Sequence, residues 1–435
     1  MSLFKSSFWV ILSLVVLRSQ PYILLGKYQL TQVYPVAVDP GQPLQISLKI
    51  QTTSHDQLNL PLYNIEGLVM DVLHFDLDRP TKADAFHQYV NLSCPVPDLP
   101  SGIYSFDQRN YFMVKAKGPK RMALIYPENT IQAYNNYGGK SFYGYNSSDG
   151  KPADTLSFNR PVEFFDEFFS LEFGRWLAKT YGDQIAYFTD RDLDHYENIA
   201  QSDVLIIPGH SEYWSRKARE NFDHFVDGGK HAIILSGNTC WWQVRYHEDQ
   251  IICHKEDGTD PTLHKELNTV LWSDPTLQYS ILKSIGQDFS LGGYGKQVDS
   301  GWDGYRICVN NNPLFENTKL QKGDTLKLST TEYDGTVIKD FYDGFPIIDA
   351  AALGFHQATI IGFDRGFRDH ETFGTWIAFK KKQKAGTVFN VGSTNWCESN
   401  SFLSNSPIPV LTQNMIELVL DATKLELFWK EIQAN

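Results

Sequence analysis

The sequence has few cysteines, five among 435 residues, and no two of them stand close together. A zinc ribbon needs closely paired cysteines, and a disulfide framework needs several at short spacings, so both are excluded. One or two isolated bridges remain compatible with the count. The five are Cys94, Cys240, Cys253, Cys308 and Cys397.

Basic residues are fewer than acidic ones. The chain has 39 Lys and Arg and 51 Asp and Glu, which gives a formal net charge of −12. This balance, without a long basic patch, disfavours a nucleic-acid or anionic-membrane partner. The 42% of hydrophobic residues can build a sizeable core. A soluble globular protein of two or three domains is therefore predicted, with homo-oligomerisation left open.

Several catalytic and nucleotide-binding motifs are missing. The chain has no GxGxxG, P-loop, GxSxG or HExxH pattern, so nucleotide binding, serine hydrolysis and zincin chemistry lose support. A cysteine nucleophile of the glutamine-amidotransferase kind would have to follow Gly209, where the sequence has His210. That mechanism is excluded.

Long apolar runs are absent from most of the chain, and the N-terminal one is short. Phe8 to Leu17 is apolar except for Ser13, and Lys5 precedes it. The run is about half the length that a membrane span needs, so residues 1–25 are predicted to be a secretory signal peptide. The expected location is periplasmic or secreted. The alternative is a membrane anchor that extends to Leu25.

What the sequence does contain begins with a strand-rich region over residues 26–118. Residues 44–50 alternate strictly between apolar and polar side chains, which is typical of a half-buried strand. Pro-Gly, Pro-Asp and Ser-Gly dipeptides separate the apolar runs. A small antiparallel β-sandwich is predicted here.

Residues 119–435 predict an α/β domain with a parallel, flavodoxin- or glutamine-amidotransferase-like sheet. Apolar strands are expected at residues 122–126, 185–188, 204–207, 232–235 and 386–391. A helix is expected from Pro161 through Leu177, and another between the cap Ser215 and Gly228. The irregular, strand-rich stretch over about 245–384 is interpreted as an insertion.

Three unusual loops follow the predicted parallel strands, where ligands bind in such sheets. They are Tyr126 to Pro161, Gly209 to Trp214 and Gly237 to Gln243. Taken singly, their tyrosines can simply pack, Glu212 can favour a helix start, and His210 and Asn238 can be ordinary loop residues. Together they place a carboxylate, an imidazole, an amide and several phenols at one sheet edge, which indicates an active site.

At these residues the sequence resembles the large, catalytic subunit of N,N-dimethylformamidase. The resemblance runs from about Ser101 to Trp242 and returns more weakly toward Trp396. It is carried by three motifs, Ala-Tyr-Asn-Asn-Tyr-Gly-Gly at 133–139, Gly-His-Ser-Glu-Tyr-Trp at 209–214, and Gly-Asn-Thr at 237–239 followed by Trp-Gln-Val-Arg at 242–245. It implies one mononuclear iron (Fe³⁺) held by two tyrosines and one glutamate, which activates water for amide hydrolysis.

Carried over by motif, Glu212 and Tyr134 are the implied iron ligands. Tyr104 is the favoured third ligand, and Tyr143 competes with it. His210 and Asn238 would orient water or the amide carbonyl, and Lys255 matches a family lysine at a different loop length. Glu332 is a further proton-handling residue in this hypothesis; alternatively it is an exposed turn carboxylate.

The resulting prediction is an iron-dependent hydrolase of a C–N bond in a small amide. The alternative is an exported, non-enzymatic protein that binds a carbohydrate or a protein partner through its sandwich and aromatic crevice.

Overall fold

The computed structural model describes residues 28–51, 57–76, 82–83, 87–162, 165–255, 259–295, 304–310, 312–403 and 405–434. The predicted signal or anchor segment lies outside these residues. In the described part of the chain, no helix is long and apolar enough to cross a membrane. The chain divides into two compact units, Met1–Val114 with Pro161–Phe164, and Lys115–Arg160 with Phe165–Asn435.

The first unit is built from two sheets that share one core. Leu44, Ile46 and Leu48 of one sheet and Leu58 and Leu60 of the other are buried in the same cluster, so the sheets pack as a sandwich. One sheet has the order β1-β3-β7-β6 and the other β2-β9-β8-β4-β5. The strands are β1 (Tyr28–Tyr34), β2 (Ala37–Val38), β3 (Pro43–Gln51), β4 (Gln57–Asn64), β5 (Val69–Asp76), β6 (Lys82–Ala83), β7 (His87–Pro95), β8 (Gly102–Ser105) and β9 (Tyr111–Val114).

The second unit holds the remaining described strands. They are β10 (Met122–Tyr126), β11 (Thr155–Ser157), β12 (Ile185–Thr189), β13 (Val204–Gly209), β14 (Tyr213–Ser215), β15 (His231–Ser236), β16 (Trp242–His247), β17 (Gln250–Ile252), β18 (Asp288–Tyr294), β19 (Gly304–Ile307), β20 (Thr325–Lys327), β21 (Glu332–Gly335), β22 (Ile338–Tyr342), β23 (Phe345–Ile348), β24 (Gln357–Arg368), β25 (His370–Lys380) and β26 (Thr387–Asn390).

The described helices also belong to the second unit. They are α1 (Glu128–Tyr134), α2 (Leu171–Tyr181), α3 (Tyr196–Ile199), α4 (Arg216–Asp227), α5 (Leu282–Ile285), α6 (Ala350–Leu353), α7 (Ser399–Phe402), α8 (Ile408–Leu420) and α9 (Ala422–Ala434). Short 3₁₀ helices cover Tyr137–Gly139, Gly144–Asn146, Gly182–Gln184, Asp190–Asp194, Lys265–Leu267, Pro275–Leu277 and Pro313–Phe315.

A mixed, eleven-stranded sheet forms the centre of the second unit. Its first five strands are parallel and lie in the order β12-β10-β13-β15-β26. The sheet continues antiparallel through β25, β24, β18 and β21, and β19 and β20 join it at β24. Much of the stretch interpreted as an insertion therefore extends the central sheet, because the β24–β25 hairpin pairs with the edge of β26.

The helix expected from Pro161 through Leu177 is shorter at its start than predicted. It begins at Leu171, because Ser170 caps it by accepting a hydrogen bond from the Phe173 N–H through its hydroxyl. The carbonyl of Phe165 accepts a 2.7 Å hydrogen bond from the hydroxyl of Tyr126, the last residue of β10. This carbonyl therefore bonds a side chain of the sheet instead of an N–H group of a helix. The aromatic residues of 165–169 follow a helical spacing without forming a helix.

Other local predictions are confirmed. The Ser215 hydroxyl accepts a 2.9 Å hydrogen bond from the Ala218 N–H at the start of α4, and Gly228 follows its last residue. All five cysteines are unpaired, so the isolated bridges that the sequence left open are not formed.

Candidate active site

The site lies at the carboxyl ends of the parallel strands. Tyr134 ends α1, which follows β10, whereas His210 and Glu212 follow β13 directly. Asn238 stands just beyond β15. Crossovers of a parallel sheet bring such positions to one edge, and the following contacts join them.

Glu212 is the central side chain of the site and is only 2% exposed. Both of its carboxylate oxygens lie 3.1 Å from the Tyr143 hydroxyl, and Oε2 lies 3.1 Å from Nε2 of His210. Its backbone N–H donates a 2.9 Å hydrogen bond to the Thr130 hydroxyl on α1. Glu212 is thus held by α1 through its backbone, and by Tyr143 and His210 through its carboxylate.

Two tyrosines flank Glu212. The rings of Tyr134 and Tyr143 have centroids 4.4 Å apart, and the Tyr213 hydroxyl lies 2.7 Å from that of Tyr143. Burial first, and then the charge of Glu212, raise the pKa of Tyr134 and of Tyr143 well above the usual value for a phenol. Both hydroxyls therefore keep their protons at neutral pH unless a strong cation replaces them.

Lys255 supplies a cation beside this pair. Its ammonium nitrogen lies 3.6 Å from the ring centroid of Tyr143 and 4.9 Å from that of Trp242. Burial lowers the pKa of Lys255, while the nearby Cys253 and Glu212 oppose the shift.

His210 bridges two carboxylates. Its Nε2 faces Glu212, its Nδ1 lies 3.7 Å from Oε2 of Glu332, and its ring stacks on Phe168 with centroids 5.0 Å apart. Burial lowers the pKa of His210, but the hydrogen bond to Glu212 and the charge of Glu332 outweigh it, so the pKa is raised overall. The protonated imidazole is the form that this pair of acceptors favours.

Glu332 is part of the site rather than an exposed turn residue, since its side chain is 17% exposed. Its Oε2 accepts a 3.2 Å hydrogen bond from Nδ2 of Asn238. Burial raises the pKa of Glu332; the charge of His210 opposes this shift and that of Glu212 adds to it. A carboxyl group with a raised pKa holds its proton more readily than an exposed one does.

Asp334 is a buried carboxylate at the site that the sequence analysis did not identify. Its two oxygens accept hydrogen bonds of 2.9 and 3.1 Å from the backbone N–H groups of Asn238 and Thr239. Asn238 has a φ of 48°, a left-handed conformation that asparagine tolerates better than most residues. No pattern within β21 identified it, because its partner Asn238 lies at the end of another strand.

A cavity of about 430 Å³ opens beside these residues. Tyr134, Phe168, His210 and Glu332 line it, and further carboxylates line it at Asp166, Glu167 and Glu398. A small organic molecule fits a space of this size.

Tyr104, the favoured third ligand in the sequence analysis, is not among the residues brought together around Glu212. It lies in β8, within the core of the first unit, and its hydroxyl donates a 2.8 Å hydrogen bond to the carbonyl of Pro100. Its ring packs near Phe112. Tyr143, the competing candidate, is the tyrosine that contacts Glu212.

The long loop that carries Tyr143 is anchored by Arg160, which the sequence analysis also missed. Its guanidinium donates hydrogen bonds of 2.8, 2.8 and 2.7 Å to the carbonyls of Lys140, Gln132 and Asn135. The cation thus satisfies carbonyls at the end of α1 and in the loop.

Within the described residues, no group of three or more His, Cys, Asp or Glu side chains is arranged to hold a metal ion. The oxygen donors at the centre of the site are instead the carboxylate of Glu212 and the phenols of Tyr134 and Tyr143. Oxygen donors of this hard type suit a highly charged cation, and the −3 charge of one carboxylate and two phenolates would balance Fe³⁺.

Comparison with known proteins identifies the family of the chain. No curated protein matches the chain. The alkylpurine DNA glycosylase AlkC of Pseudomonas fluorescens, bound to DNA with an abasic site analogue, is 13% identical over 21% of this chain and 30% of its own, with a TM-score of 0.14. The chain thus spans less than a third of that glycosylase.

A ThuA-like protein from Bacteroides uniformis is 13% identical over 70% of this chain and 93% of its own, with a TM-score of 0.34. Neither similarity is close enough to carry an argument about fold or function. A family model described as N,N-dimethylformamidase beta subunit-like, C-terminal, matches residues 85–405, which is more than half of the chain, and the chain therefore belongs to that family.

Proposed function

We propose that this chain hydrolyses the C–N bond of a small amide and that Glu212, Tyr134 and Tyr143 hold one Fe³⁺ ion for this reaction. One observation carries the proposal: a buried carboxylate has both oxygens 3.1 Å from the Tyr143 hydroxyl, while the Tyr134 ring contacts that of Tyr143 with centroids 4.4 Å apart. Membership in a dimethylformamidase-related family supports an amide as the substrate.

The residues fit the ion by charge and by donor type. Both phenols have a raised pKa and stay protonated when only Glu212 is nearby. A trivalent cation reverses that preference, because it stabilises the phenolate over the phenol. When bound, the ion supplies a Lewis acid that polarises the amide carbonyl and lowers the pKa of a water molecule.

His210 and Glu332 move protons in this proposal. The imidazolium of His210 can donate from both nitrogens, from Nε2 toward Glu212 and from Nδ1 toward Glu332. A proton can therefore pass through the imidazole from the Glu212 side of the site to Glu332. Glu332, whose pKa is raised by burial, then delivers a proton to the departing amine nitrogen. Asn238 holds the Glu332 carboxylate in place for this step.

Lys255 and Phe168 have supporting roles in the proposal. The Lys255 ammonium, 3.6 Å from the centroid of the Tyr143 ring, favours negative charge on that phenol. Phe168 covers one face of the His210 ring and restricts its rotation. Both roles concern the orientation and charge of the reacting groups rather than direct contact with the substrate.

The proposal extends to the type of sheet and to the catalytic subunit. The parallel strand order β12-β10-β13-β15-β26, which is 2-1-3-4-5 by chain order, supports a flavodoxin- or glutamine-amidotransferase-like arrangement. The matching family is named for a beta subunit, whereas the motifs around Glu212 resemble the large subunit. We assign the catalytic role to this chain because those motifs form the site.

Iron binding by substituted proteins tests the ligand assignment. The purified protein is expected to take up one iron per chain and to absorb visible light through tyrosinate-to-iron charge transfer. Glu212→Gln is expected to lose the iron, and Tyr134→Phe and Tyr143→Phe to lose most of the visible band. Tyr104→Phe is the matched control, because its hydroxyl bonds Pro100 in the other unit.

A colourless wild-type protein that binds no iron after reconstitution would contradict the proposal. Loss of the band in Tyr104→Phe together with its retention in Tyr143→Phe would return the third position to Tyr104.

A second candidate function is non-enzymatic binding of a carbohydrate by an exported protein. It is favoured by exposed rings on the long loop, since Tyr137 is 57% and Tyr145 79% exposed. Planar rings of this kind stack on apolar faces of sugars. Glu212→Ala would then leave both ligand affinity and metal content unchanged, contrary to the expectation for the hydrolase.

A further inference from the structure

We infer that Tyr213 is a positioning residue for the proposed reaction: its hydroxyl donates a hydrogen bond to the Tyr143 oxygen and keeps that oxygen turned toward Glu212. The inference rests on the proposed function, because it concerns how one of the proposed iron ligands is held. Tyr213 belongs to the Gly-His-Ser-Glu-Tyr-Trp motif at 209–214, of which the proposed function uses only His210 and Glu212.

Tyr213 and Glu212 are consecutive residues that contact the same atom. The Tyr213 hydroxyl lies 2.7 Å from the Tyr143 hydroxyl, whose oxygen is 3.1 Å from each carboxylate oxygen of Glu212. The side chain of Tyr213 is fully buried, so its hydroxyl depends on a partner within the protein. The three side chains thus form a short chain of hydrogen bonds that ends on the carboxylate.

The direction of these hydrogen bonds follows from the groups themselves. An ionised carboxylate only accepts, so the single hydroxyl proton of Tyr143 must go to Glu212. The Tyr143 oxygen can then only accept from Tyr213, which makes Tyr213 the donor. Loss of the Tyr143 proton leaves this donation intact, because the donated proton belongs to Tyr213.

Negative charge on the Tyr143 oxygen strengthens the hydrogen bond from Tyr213, because a donor bonds an ionised oxygen more strongly than a neutral one. In the proposed function Tyr143 becomes a phenolate. Tyr213 then supplies a donor at the place where the charge develops, without any movement. Groups of this kind orient metal ligands, and their loss typically lowers metal affinity by about 10–100-fold.

The backbone of Tyr213 is held from two sides. Its carbonyl accepts a 2.8 Å hydrogen bond from Nδ2 of Asn129 on α1, and β14, which it begins, pairs with β16 so that Tyr213 lies opposite Trp242. The N–H groups of Trp241 and Trp242 donate to the carbonyl of Glu212 at 2.7 and 3.0 Å. The donor and the carboxylate therefore belong to one fixed segment, whereas their common partner lies on the long loop.

Tyr213→Phe tests the inference, since it removes the hydroxyl and keeps the ring. In the iron-loaded protein we expect the tyrosinate-to-iron absorption band to move to longer wavelength, because loss of the donor raises the energy of the phenolate electrons. We expect iron affinity to fall about tenfold or more. A tyrosine fluorinated beside its hydroxyl is a stronger donor, and at position 213 it is expected to move the band to shorter wavelength. A merely structural role would not give opposite shifts.

Tyr305→Phe is the matched control. Tyr305 is also fully buried, and its hydroxyl donates to the carbonyl of Val391. We expect the absorption band and the iron affinity of this variant to equal those of the wild type. A Tyr213→Phe protein with the wild-type band and affinity would overturn the inference, and so would equal changes in the two variants.

The iron-free protein separates the inference from the proposed function. The carbon-13 resonance of Tyr143 Cζ reports hydrogen bonding at its hydroxyl and is assigned by its loss in Tyr143→Phe. We expect this resonance to shift in Tyr213→Phe and to stay unchanged in Tyr305→Phe. Such a shift in a protein that binds no iron would contradict the hydrolase and retain Tyr213 as the residue that positions Tyr143. A wild-type iron band without such a shift would retain the iron site and contradict the inference.

Discussion

The carboxylate of Asp334 accepts a 2.9 Å hydrogen bond from the backbone N–H of Asn238, a residue 96 positions earlier in the chain. Its other oxygen accepts from the N–H of Thr239 at 3.1 Å. The strand β21 therefore controls the conformation of the loop after β15. We call these two hydrogen bonds of Asp334 the clamp. Because Glu332 precedes Asp334 on the same strand, the clamp also fixes the distance between Asn238 and Glu332.

Replacing Asp334 by asparagine is expected to destabilise the protein by about 1–3 kcal/mol. Asparagine offers one acceptor where the carboxylate offers two, so one buried N–H loses its partner. The measurement is the free energy of unfolding from urea titration. Asp343→Asn is the control, because Asp343 is exposed in a turn with a φ of 51°, which asparagine accepts. Equal losses in the two variants would contradict the clamp.

The pH dependence of stability is expected to depend on Glu128. Burial raises the pKa of this carboxyl to about 7; the charge of Arg191 opposes the shift and that of Asp192 adds to it. The pKa of Glu128 in the folded protein lies above the ordinary value of 4.5. The contribution of Glu128 to the free energy of unfolding is therefore complete below about pH 4.5 and is lost as the pH rises through about 7.

Glu128→Gln removes this loss because its side chain stays neutral. Relative to wild type, the variant is expected to gain up to about 3 kcal/mol of unfolding free energy between pH 5 and pH 8. Asp334, whose pKa burial also raises to about 7, is present in both proteins and cancels in the comparison. Parallel stability curves for variant and wild type would exclude Glu128 as the titrating group.

Local features of the fold and the strand ends that carry His210, Glu212 and Asn238 were predictable from sequence, whereas the tyrosine that contacts Glu212 was not. The apolar run at Met122–Tyr126 forms a fully buried strand, as such runs do in parallel sheets. The cap at Ser215 needs only the residues beside it. These predictions succeed because the physical cause lies within one turn or one strand.

The choice between Tyr104 and Tyr143 depends on tertiary structure. Tyr143 meets Glu212 across 69 positions, and the long loop between β10 and α2 decides which of its rings turns inward. Periodicity carries no information about such a loop. The same holds for Asp334, whose partner Asn238 lies on another strand end, so a pattern within β21 could not reveal it.

Arg160 is expected to govern the order of that loop. Arg160→Gln removes hydrogen bonds to four carbonyls, those of Gln132, Asn135, Tyr137 and Lys140, and is expected to destabilise the protein by about 1–3 kcal/mol. Hydrogen exchange of residues 135–160 should also accelerate. Arg121→Gln is the control, since its ion pair with Asp203 is about half-exposed and is worth less than about 1 kcal/mol. Unchanged exchange in the loop would show that other contacts order it.

Gly209 is expected to be the least replaceable glycine in the site region. A Cβ added there would lie 1.4 Å from the carbonyl oxygen of Phe168, and its φ is +75°. Gly150 has a similar φ of +71°, but an added Cβ there meets nothing within 4 Å. Alanine at Gly150 would therefore introduce backbone strain alone, whereas alanine at Gly209 would introduce the same strain and a steric clash.

Gly150→Ala is expected to destabilise the protein by about 1–2 kcal/mol, the typical effect of a left-handed residue with a Cβ. Gly209→Ala is expected to exceed this by several kcal/mol or to prevent folding, because the backbone of Phe168, whose ring stacks on that of His210, would have to move. Urea titration and soluble yield measure the difference. Similar stability of the two variants would mean that the segment before α2 can shift away from β13, and that Phe168 does not hold His210 in a single position.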